Sequence, residues 1–356
     1  MGTTYYAYAA ASGGANDGSK AGPWEGVAGL QTGLDALVAG DVLYVAGTYT
    51  LAAALDIDQA SGADGTPIRV IGCDYDGGEF TVDGTKAVID ANDAAVNCLT
   101  VEDKDWWIWE NVEFCNATGS NLHVTATASG MYWVFLRCDS HDAGGDGWGT
   151  TGTKFWGYCH FIRCRAWDND GDGFADAYGP GGFHECISIG NGQDGFEVKY
   201  GMIAEGCIAH ANTRFGFFGT SLQSASIARC VADGNGSDGI YINTGPGAVL
   251  GCRLTNNGRY GLSLGSTKTV LELNNVILGN ATAPVAGGVT IHEDGGAETR
   301  ITEGVAGYEN LAGDVFNCRL GAAGYRTEID LGGGNYARLC PGLPTMILPK
   351  LGGNER

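Results

Sequence analysis

The sequence is poor in charged residues, in proline and in positive charge. Asp, Glu, Lys and Arg make up 17% of the chain, and only 8 of its 356 residues are proline. The 20 Lys and Arg residues are outnumbered by 41 acidic ones. The formal net charge of −21 therefore argues against nucleic acid or an anionic membrane surface as a partner. No hydrophobic run approaches the roughly 20 residues that span a bilayer, so membrane insertion is not expected.

The spacing of the cysteines also excludes some kinds of site. None of the 12 forms a CxxC pair, so a zinc site is not expected. Most fall on a regular spacing, and we expect buried free thiols there, because disulfide geometry would strain a regular stack. The redox state is left open for Cys73, Cys98, Cys318 and Cys340. The opening residues lack a signal peptide, which favours a virion or cell surface, or secretion if a signal has been removed.

A repeat of about 22 residues runs through the middle of the chain. Its lines read CRAWDNDGDGF, CISIGNGQDGF, CIAHANTRFGF, CVADGNGSDGI and CRLTNNGRYGL. Five residues after each cysteine comes an asparagine, and four residues after that comes a glycine. The members are Cys164, Cys186, Cys207, Cys230 and Cys252, followed by Asn169, Asn191, Asn212, Asn235 and Asn257. A period in this range predicts a solenoid of stacked coils.

The residue pattern within the repeat indicates whether the solenoid is built from helices or strands. No helical stripe is present, and the residues after each corner glycine alternate as strands do, as in Gly195-Phe196-Glu197-Val198. Asparagine tolerates left-handed backbone angles, so one Asn at each sharp corner has a physical reason. We predict an all-β, single-stranded, right-handed parallel β-helix with coils about 4.8 Å apart. Its stacked asparagines would hydrogen-bond along the column.

The flanking segments suggest how the solenoid is finished. We expect one domain over residues 1–356: an N-terminal strand, loop and cap helix (1–45), the coils (46–285), and irregular last coils with a C-terminal strap (286–356). The helix is predicted from Val27 to Ala39, since its apolar residues share one face and would cover the open end of the core.

A column of acidic residues accompanies the asparagines. Asp172, Asp194 and Asp238 each follow a corner asparagine by three residues, Asp146 joins them one coil earlier, and Phe215 interrupts the column. Stacked carboxylates repel one another unless a cation or protons lie among them, and oxygen-lined sites suit Ca²⁺. The alternative is that each aspartate accepts backbone N–H groups at its own turn.

Two parts of the chain resemble known families. The opening, TTYYAYAAASGGANDG through GLQTGLDALVAGDVLYVAGTYT, looks like the start of secreted and phage-borne right-handed β-helix proteins, including pectate-lyase-like enzymes. Residues 141–218, with HDAGGDGWG, FIRCRAWDNDGDGFADAYG and ISIGNGQDGFEVKYG, resemble the active-site coils of the ninth polysaccharide-lyase family. Together these segments cover about half of the chain.

The second resemblance implies a site. In that family four aspartates on adjacent coils hold Ca²⁺ and a lysine abstracts the proton. Asp146 matches the earlier aspartate and Asp172 keeps the register of the later cluster, while Asp170 and Asp176 lie beside positions that have changed. The slot of the base lysine holds Glu197. Lys199, two residues further, is expected on the same face of the strand.

The candidate residues allow more than one chemistry. Lys199 and Arg214 are the nearest candidates for a base and a carboxylate binder in β-elimination, with Ca²⁺ held by the aspartates, Asp194 included. A carboxylate beside a lysine disfavours the neutral amine that a base needs. Glu197 with an aspartate could instead hydrolyse a glycosidic bond, as in tailspike enzymes.

We therefore expect a surface or virion-type structural β-helix with possible glycan binding, built on a lyase-like scaffold whose active site has eroded. The alternative is a Ca²⁺-dependent, pectate-type polysaccharide lyase, and the second alternative is a tailspike-type glycoside hydrolase. The expected partner is an acidic polysaccharide or another glycan. A homo-oligomer or assembly into a larger particle is compatible with the sequence.

Overall fold

The computed structural model is a parallel β-solenoid of about 9 turns with about 23 residues per turn, and one short helix lies near the N-terminus. The predicted fold is thereby confirmed. The structure describes residues 2–124, 132–150, 158–175, 181–199, 201–220, 225–243, 247–265, 270–273, 275–286, 289–292, 298–301, 328–330 and 336–338.

Sheet A is the longest sheet and includes the first strands of the chain. Its strands pair in parallel, except β7, which folds back antiparallel onto β6. They are β1 (Thr4–Tyr8), β2 (Trp24–Glu25), β3 (Val42–Ala46), β6 (Ile68–Asp76), β7 (Glu79–Thr81), β10 (Trp107–Glu110), β13 (Tyr132–Leu136), β16 (Tyr158–Ile162), β18 (Gly182–His184), β21 (Ile203–Glu205), β24 (Ala225–Ala228), β27 (Gly247–Leu250) and β30 (Val270–Leu273).

Sheet B follows sheet A after a short corner in each coil. Its strands are β4 (Thr48–Thr50), β8 (Ala87–Asp90), β11 (Val112–Cys115), β14 (Asp139–His141), β17 (Arg165–Trp167), β19 (Ile187–Ile189), β22 (Ile208–His210), β25 (Val231–Asp233), β28 (Arg253–Thr255) and β31 (Val276–Leu278).

Sheet C closes each coil and has two parts. The first comprises β5 (Leu55–Ile57), β9 (Leu99–Val101), β12 (Leu122–Val124) and β15 (Trp148–Thr150). The second comprises β20 (Phe196–Lys199), β23 (Phe217–Thr220), β26 (Ile240–Ile242), β29 (Tyr260–Leu264) and β32 (Ala283–Ala286). Single bridges through Phe174 join the two parts, to Trp148 on one side and Phe196 on the other. Two antiparallel hairpins follow, β33 (Val289–His292) with β34 (Glu298–Ile301), and β35 (Glu328–Asp330) with β36 (Tyr336–Arg338).

The predicted asparagine ladder runs along the corner between sheets B and C. The Asn191 amide donates to Asn212 at 2.9 Å, and the contacts above and below it repeat at 2.8–3.1 Å from Asn169 to Asn280. The amides from Asn169 to Asn257 are buried, so each of these rungs satisfies groups that water cannot reach. The corner glycine is required by the same stacking, because a Cβ on Gly195 would lie 2.6 Å from the carbonyl oxygen of Gly216.

The interior consists of further vertical files. The cysteines of the repeat are buried free thiols, as predicted, and so are Cys73 and Cys98, whereas Cys318 and Cys340 lie outside the described residues. Each thiol in the repeat contacts a carbonyl of the coil below, as Cys186 does with Phe161 at 3.2 Å. Aromatic rings stack beside them in sheets A and C, so the core is continuous from coil to coil.

The helix α1 (Gly26–Ala36) covers the N-terminal end of this core. Leu30 and Leu34 are buried against the first coil, and so is Leu37, which follows the helix in extended conformation. The helix therefore ends three residues earlier than the predicted Ala39. Val38 is exposed to solvent and does not pack against the core. Because the apolar face closes an otherwise open stack, the helix has the capping position expected of it.

Candidate functional site

The aspartate column lies where sheet C begins, and its members are joined through the backbone. The carboxylate of Asp146 accepts the N–H of Asp172 at 2.8 Å, and the carboxylate of Asp172 accepts the N–H of Asp194 at 2.6 Å. Asp194 in turn accepts the N–H of Phe215 at 3.0 Å. Each aspartate thus bonds the next coil rather than its own turn, which differs from the turn-capping alternative. These bonds fix one carboxylate oxygen of each residue, so Asp146, Asp172 and Asp194 form a vertical row, here called the aspartate file.

Asp172 has the most perturbed carboxyl of this file. Its pKa is raised to about 8, chiefly by burial. The carboxylates of Asp194, Asp146 and Glu197 contribute to this rise, and the bond from the Asp194 N–H opposes it. The pKa of Asp194 is also raised by burial, although its bond from Phe215 and the nearby Arg214 oppose the shift. A proton or a cation beside Asp172 would relieve this repulsion.

Glu197 and Lys199 lie on the same face of β20, as strand parity predicts. Their side chains form an ion pair of 2.6 Å between Lys199 Nζ and Glu197 Oε1, and both residues are buried. The carboxylate stabilises the protonated ammonium, and a protonated amine cannot accept a proton from substrate. The sequence did not reveal the burial, since strand parity alone places both residues outside the core.

Arg214 lies on the coil after Asp194 and contacts the aspartate file. Its Nε lies 3.6 Å from Asp194 Oδ1, its guanidinium lies over the Phe215 ring, and its Nη1 donates to the Gln193 side chain at 3.2 Å. The same arginine–aspartate–aromatic arrangement recurs two coils later. There Arg259 lies 3.6 Å from Asp238, and its guanidinium lies over the Tyr260 ring. The predicted carboxylate binder is therefore half-exposed at the rim of the site and already beside a carboxylate.

The outward face of sheet C changes from small to acidic to aromatic residues along the coils around the aspartate file. In successive coils one row of this face carries Gly149, Ala175, Glu197, Phe218 and Tyr241. A Cβ on Gly149 would lie 2.8 Å from the carboxylate of Asp146, so the small residue leaves room for that group. Phe218 and Tyr241 stack in parallel with ring centroids 5.7 Å apart. The site is thus an acidic part of sheet C bordered by aromatic rings on one side.

The remaining predicted metal ligands are not all brought together. Asp170 is exposed, and Asp176 lies outside the described residues. Aspartates on successive coils are spaced by the distance between neighbouring strands, so Asp146 and Asp194 lie on either side of Asp172. Among the residues that the structure describes, the three metal-ligating side chains with ligand atoms within 4.8 Å of one another are Glu113, Cys115 and His141, which the sequence did not single out.

The donor set at Asp146 and Asp172 can be compared with what Ca²⁺ requires. Their carboxylate oxygens are the hard ligands that this ion takes, and a cation would offset the repulsion from Asp194 and Asp146 that contributes to the raised pKa of Asp172. Ca²⁺ takes 6–8 oxygens, so these two side chains form part of a site that water or a bound carboxylate would complete. The chemistry of the donors fits the ion.

The tryptophan cluster divides into core and surface. Trp107 and Trp109 are buried in the core, while Trp106 stacks on Tyr132, and Tyr132 stacks on Tyr158, with centroids 4.1 and 4.6 Å apart. The surface rings cover one another's faces, which are the surfaces on which a sugar would stack. They are better suited to stabilising sheet A than to binding a glycan.

The chain belongs to the right-handed β-helix family, whose profile, described as "right handed beta helix region", matches residues 94–250 and 148–303. No curated protein matches the sequence. None of the described helices has both the length and the apolar character needed to cross a membrane.

Solved structures with a similar fold include three lyases. The pectate lyase Pel9A is 18% identical with a TM-score of 0.57, and the match covers 81% of this chain and 79% of that one. A rhamnogalacturonan lyase is 15% identical with a TM-score of 0.58, covering 80% and 84%. An alginate lyase from Paenibacillus sp. str. FPU-7 is 15% identical with a TM-score of 0.54, covering 81% and 99%. These likenesses show a shared parallel β-helix fold.

Proposed function

We propose that this chain binds an acidic polysaccharide on the outward face of sheet C and does not cleave it. The observation that carries the proposal is the buried 2.6 Å ion pair between Lys199 and Glu197. The carboxylate of Glu197 favours the cationic form of Lys199, which is the one lysine near the aspartate file among the described residues. β-Elimination needs a neutral base there, whereas binding of a polyanion is compatible with a cation.

Ca²⁺ is the proposed cofactor of binding. Asp146 and Asp172 would hold it, and when bound it would link these carboxylates to those of the glycan in a chain whose net charge is otherwise repulsive. Arg214 at the rim would contact a uronate carboxylate, since the guanidinium is half-exposed and its fork matches a carboxylate. The similar folds of three lyases support an acidic polysaccharide as the ligand class.

We expect the substitution Arg214→Gln to weaken binding of polygalacturonate or alginate in the presence of Ca²⁺ by about tenfold, because a charge-assisted contact is lost. Titration calorimetry with wild type and variant measures this. Arg253→Gln is the matched control, since Arg253 is exposed on sheet B, outside the site. Equal losses in the two variants would show that Arg214 contributes only general charge.

A lyase is the second candidate, favoured by the Asp146–Asp172 file and by Lys199 in the same coil as Asp194. We expect the wild type to release no unsaturated, ultraviolet-absorbing products from a panel of uronate polymers with Ca²⁺. Product formation that disappears in Lys199→Gln would establish the lyase and contradict the proposal. New reducing ends without unsaturation would instead indicate hydrolysis, for which Asp172 could donate a proton near neutral pH.

The proposal includes a location on a virion or a cell surface, where a rigid glycan-binding solenoid would meet its ligand. Mass spectrometry of purified particles or envelopes should then detect the chain. Its consistent absence from both would count against this part of the proposal, while the binding experiments would still stand or fall separately.

A further inference from the structure

A pocket of ≈ 530 Å³ lies at the corner between sheets A and B, away from the aspartate file. The segment from Val82 to Lys86, between β7 and β8, forms one wall. The other wall is built by residues of three successive coils. The lining residues are Val82, Asp83, Gly84, Lys86, Asn111, Arg137, Asp139, Arg163 and Arg165. Four of the 20 Lys and Arg residues of this acidic chain therefore converge on one pocket.

Stacking explains how two arginines come together. Asn111, Arg137 and Arg163 occupy the same corner of successive coils, and all three have left-handed backbone angles with φ near +55 to +59°. The Asn111 N–H donates to the carbonyl of Leu136, and the Arg137 N–H donates to that of Ile162. Neighbouring coils thus place the two guanidinium-bearing residues one strand spacing apart, which costs repulsion unless anions are near.

Both acids that line the pocket already have partners. Asp139 is buried; it accepts from Arg165 Nε at 2.9 Å and lies 3.3 Å from Lys86 Nζ. Asp83 accepts the backbone N–H of Thr85 at 2.8 Å in its own turn. Two glutamates that do not line the pocket also form ion pairs with its arginines: Glu110 with Arg137, and Glu185 with Arg163 at 2.6 Å.

The arginines keep donors for a ligand. Arg137 donates to Glu110 from Nη2, and Arg163 donates to Glu185 from Nε. A guanidinium has five N–H donors, so each of these pairs uses a minority of them. The side chains of Arg137, Arg163 and Arg165 are half-exposed, at 50, 61 and 51%. Arg165 already contacts Asp139 with Nε and Nη2, whereas Arg137 and Arg163 can each turn two N–H groups toward the pocket.

We propose that this corner pocket binds an oxyanion, such as the carboxylate of a uronic acid, a sulfate or a phosphate, between Arg137 and Arg163. Paired guanidiniums with spare donors match the planar or tetrahedral oxygens of these groups. The site stands independently of the proposed function, because it shares no residue with the aspartate file and lies on different sheets.

The test uses the full-length protein at constant ionic strength and titrates it with sodium sulfate, sodium phosphate, trigalacturonate and, as a neutral control, galactotriose. We expect saturable binding of at least one anion, detected by calorimetry and by a rise in melting temperature. The substitutions Arg137→Gln and Arg163→Gln should each weaken it about tenfold, since one charge-assisted contact is lost.

Arg229→Gln is the matched control. Arg229 occupies the same type of corner, with φ of +54°, and pairs with Glu205, but it lies outside the pocket. It should leave binding unchanged. Which anion binds identifies the source of the oxyanion. The absence of saturable binding by all three anions, or an equal loss in Arg229→Gln, would overturn the proposal.

Discussion

Replacing Asn191 by alanine is expected to lower the free energy of unfolding by about 3–5 kcal/mol, because several buried groups lose a partner at about 1–3 kcal/mol each. The Asn191 amide donates to Asn212 and Ser188, and its oxygen accepts from the backbone and side chain of Asn169. Alanine would leave these partners buried without water. Chemical denaturation followed by far-ultraviolet circular dichroism measures the loss.

Asn243→Ala is the control for this substitution. Asn243 is exposed, and its side chain has one long contact of 3.4 Å with the Tyr241 hydroxyl. A change within about 0.5 kcal/mol is expected for such a surface position. A loss at Asn191 no larger than that at Asn243 would mean that the ladder contributes little to stability.

Acidification is expected to stabilise the protein through Asp172. Its pKa is raised to about 8 in the folded state from an ordinary value of 3.8, so the folded state binds this proton more tightly than the unfolded chain does. Stability contributed by the proton is complete below pH 4 and is lost as the pH rises toward 8. One pKa unit corresponds to about 1.4 kcal/mol. Since the carboxyl retains some solvent contact, we expect about 2 kcal/mol between pH 5 and pH 8.

The substitution Asp172→Asn isolates this contribution. The asparagine keeps an oxygen for the N–H of Asp194 but has no charge, so the variant should be more stable than wild type at pH 8, and the difference should shrink as the pH falls toward 4. Other groups also titrate, among them His160 and His184, whose pKa values are lowered by burial, and the difference between the two proteins removes their contribution. Identical pH profiles would show that Asp172 is not the titrating group.

Ca²⁺ should act on the same residue. At pH 8 the ion would replace the proton beside Asp172, so millimolar Ca²⁺ should raise the melting temperature of wild type and have no effect on Asp172→Asn. Mg²⁺, which demands a stricter octahedral geometry, is expected to have a smaller effect.

The sequence was sufficient for the fold because stacking repeats the same local chemistry. Asn191 and Asn212 occur at equal offsets from Cys186 and Cys207, and each pair lies on adjacent rungs in the structure. Strand parity also placed Glu197 and Lys199 on one face. Periodicity carries these relations, and they need no long-range information.

Other features could not be predicted because they depend on contacts between distant residues. The Lys86 ammonium reaches Arg137 and Asp139 from a segment 51 and 53 positions earlier in the chain, so no motif marks the corner pocket. The bond from each aspartate to the next coil depends on the relative height of two corners, which the repeat length does not fix. The helix continued to Ala39 in the prediction because Leu37 and Val38 are apolar, although Leu37 is extended and only it enters the core.

A crystal structure grown with Ca²⁺ and an oligogalacturonate would be the most direct examination of the glycan site. We predict intact sugar density over sheet C, a calcium peak between Asp146 and Asp172, and Lys199 still paired with Glu197. A cleaved, unsaturated sugar with Lys199 turned toward it would contradict non-catalytic binding. A face of sheet C without sugar or calcium would contradict the site itself.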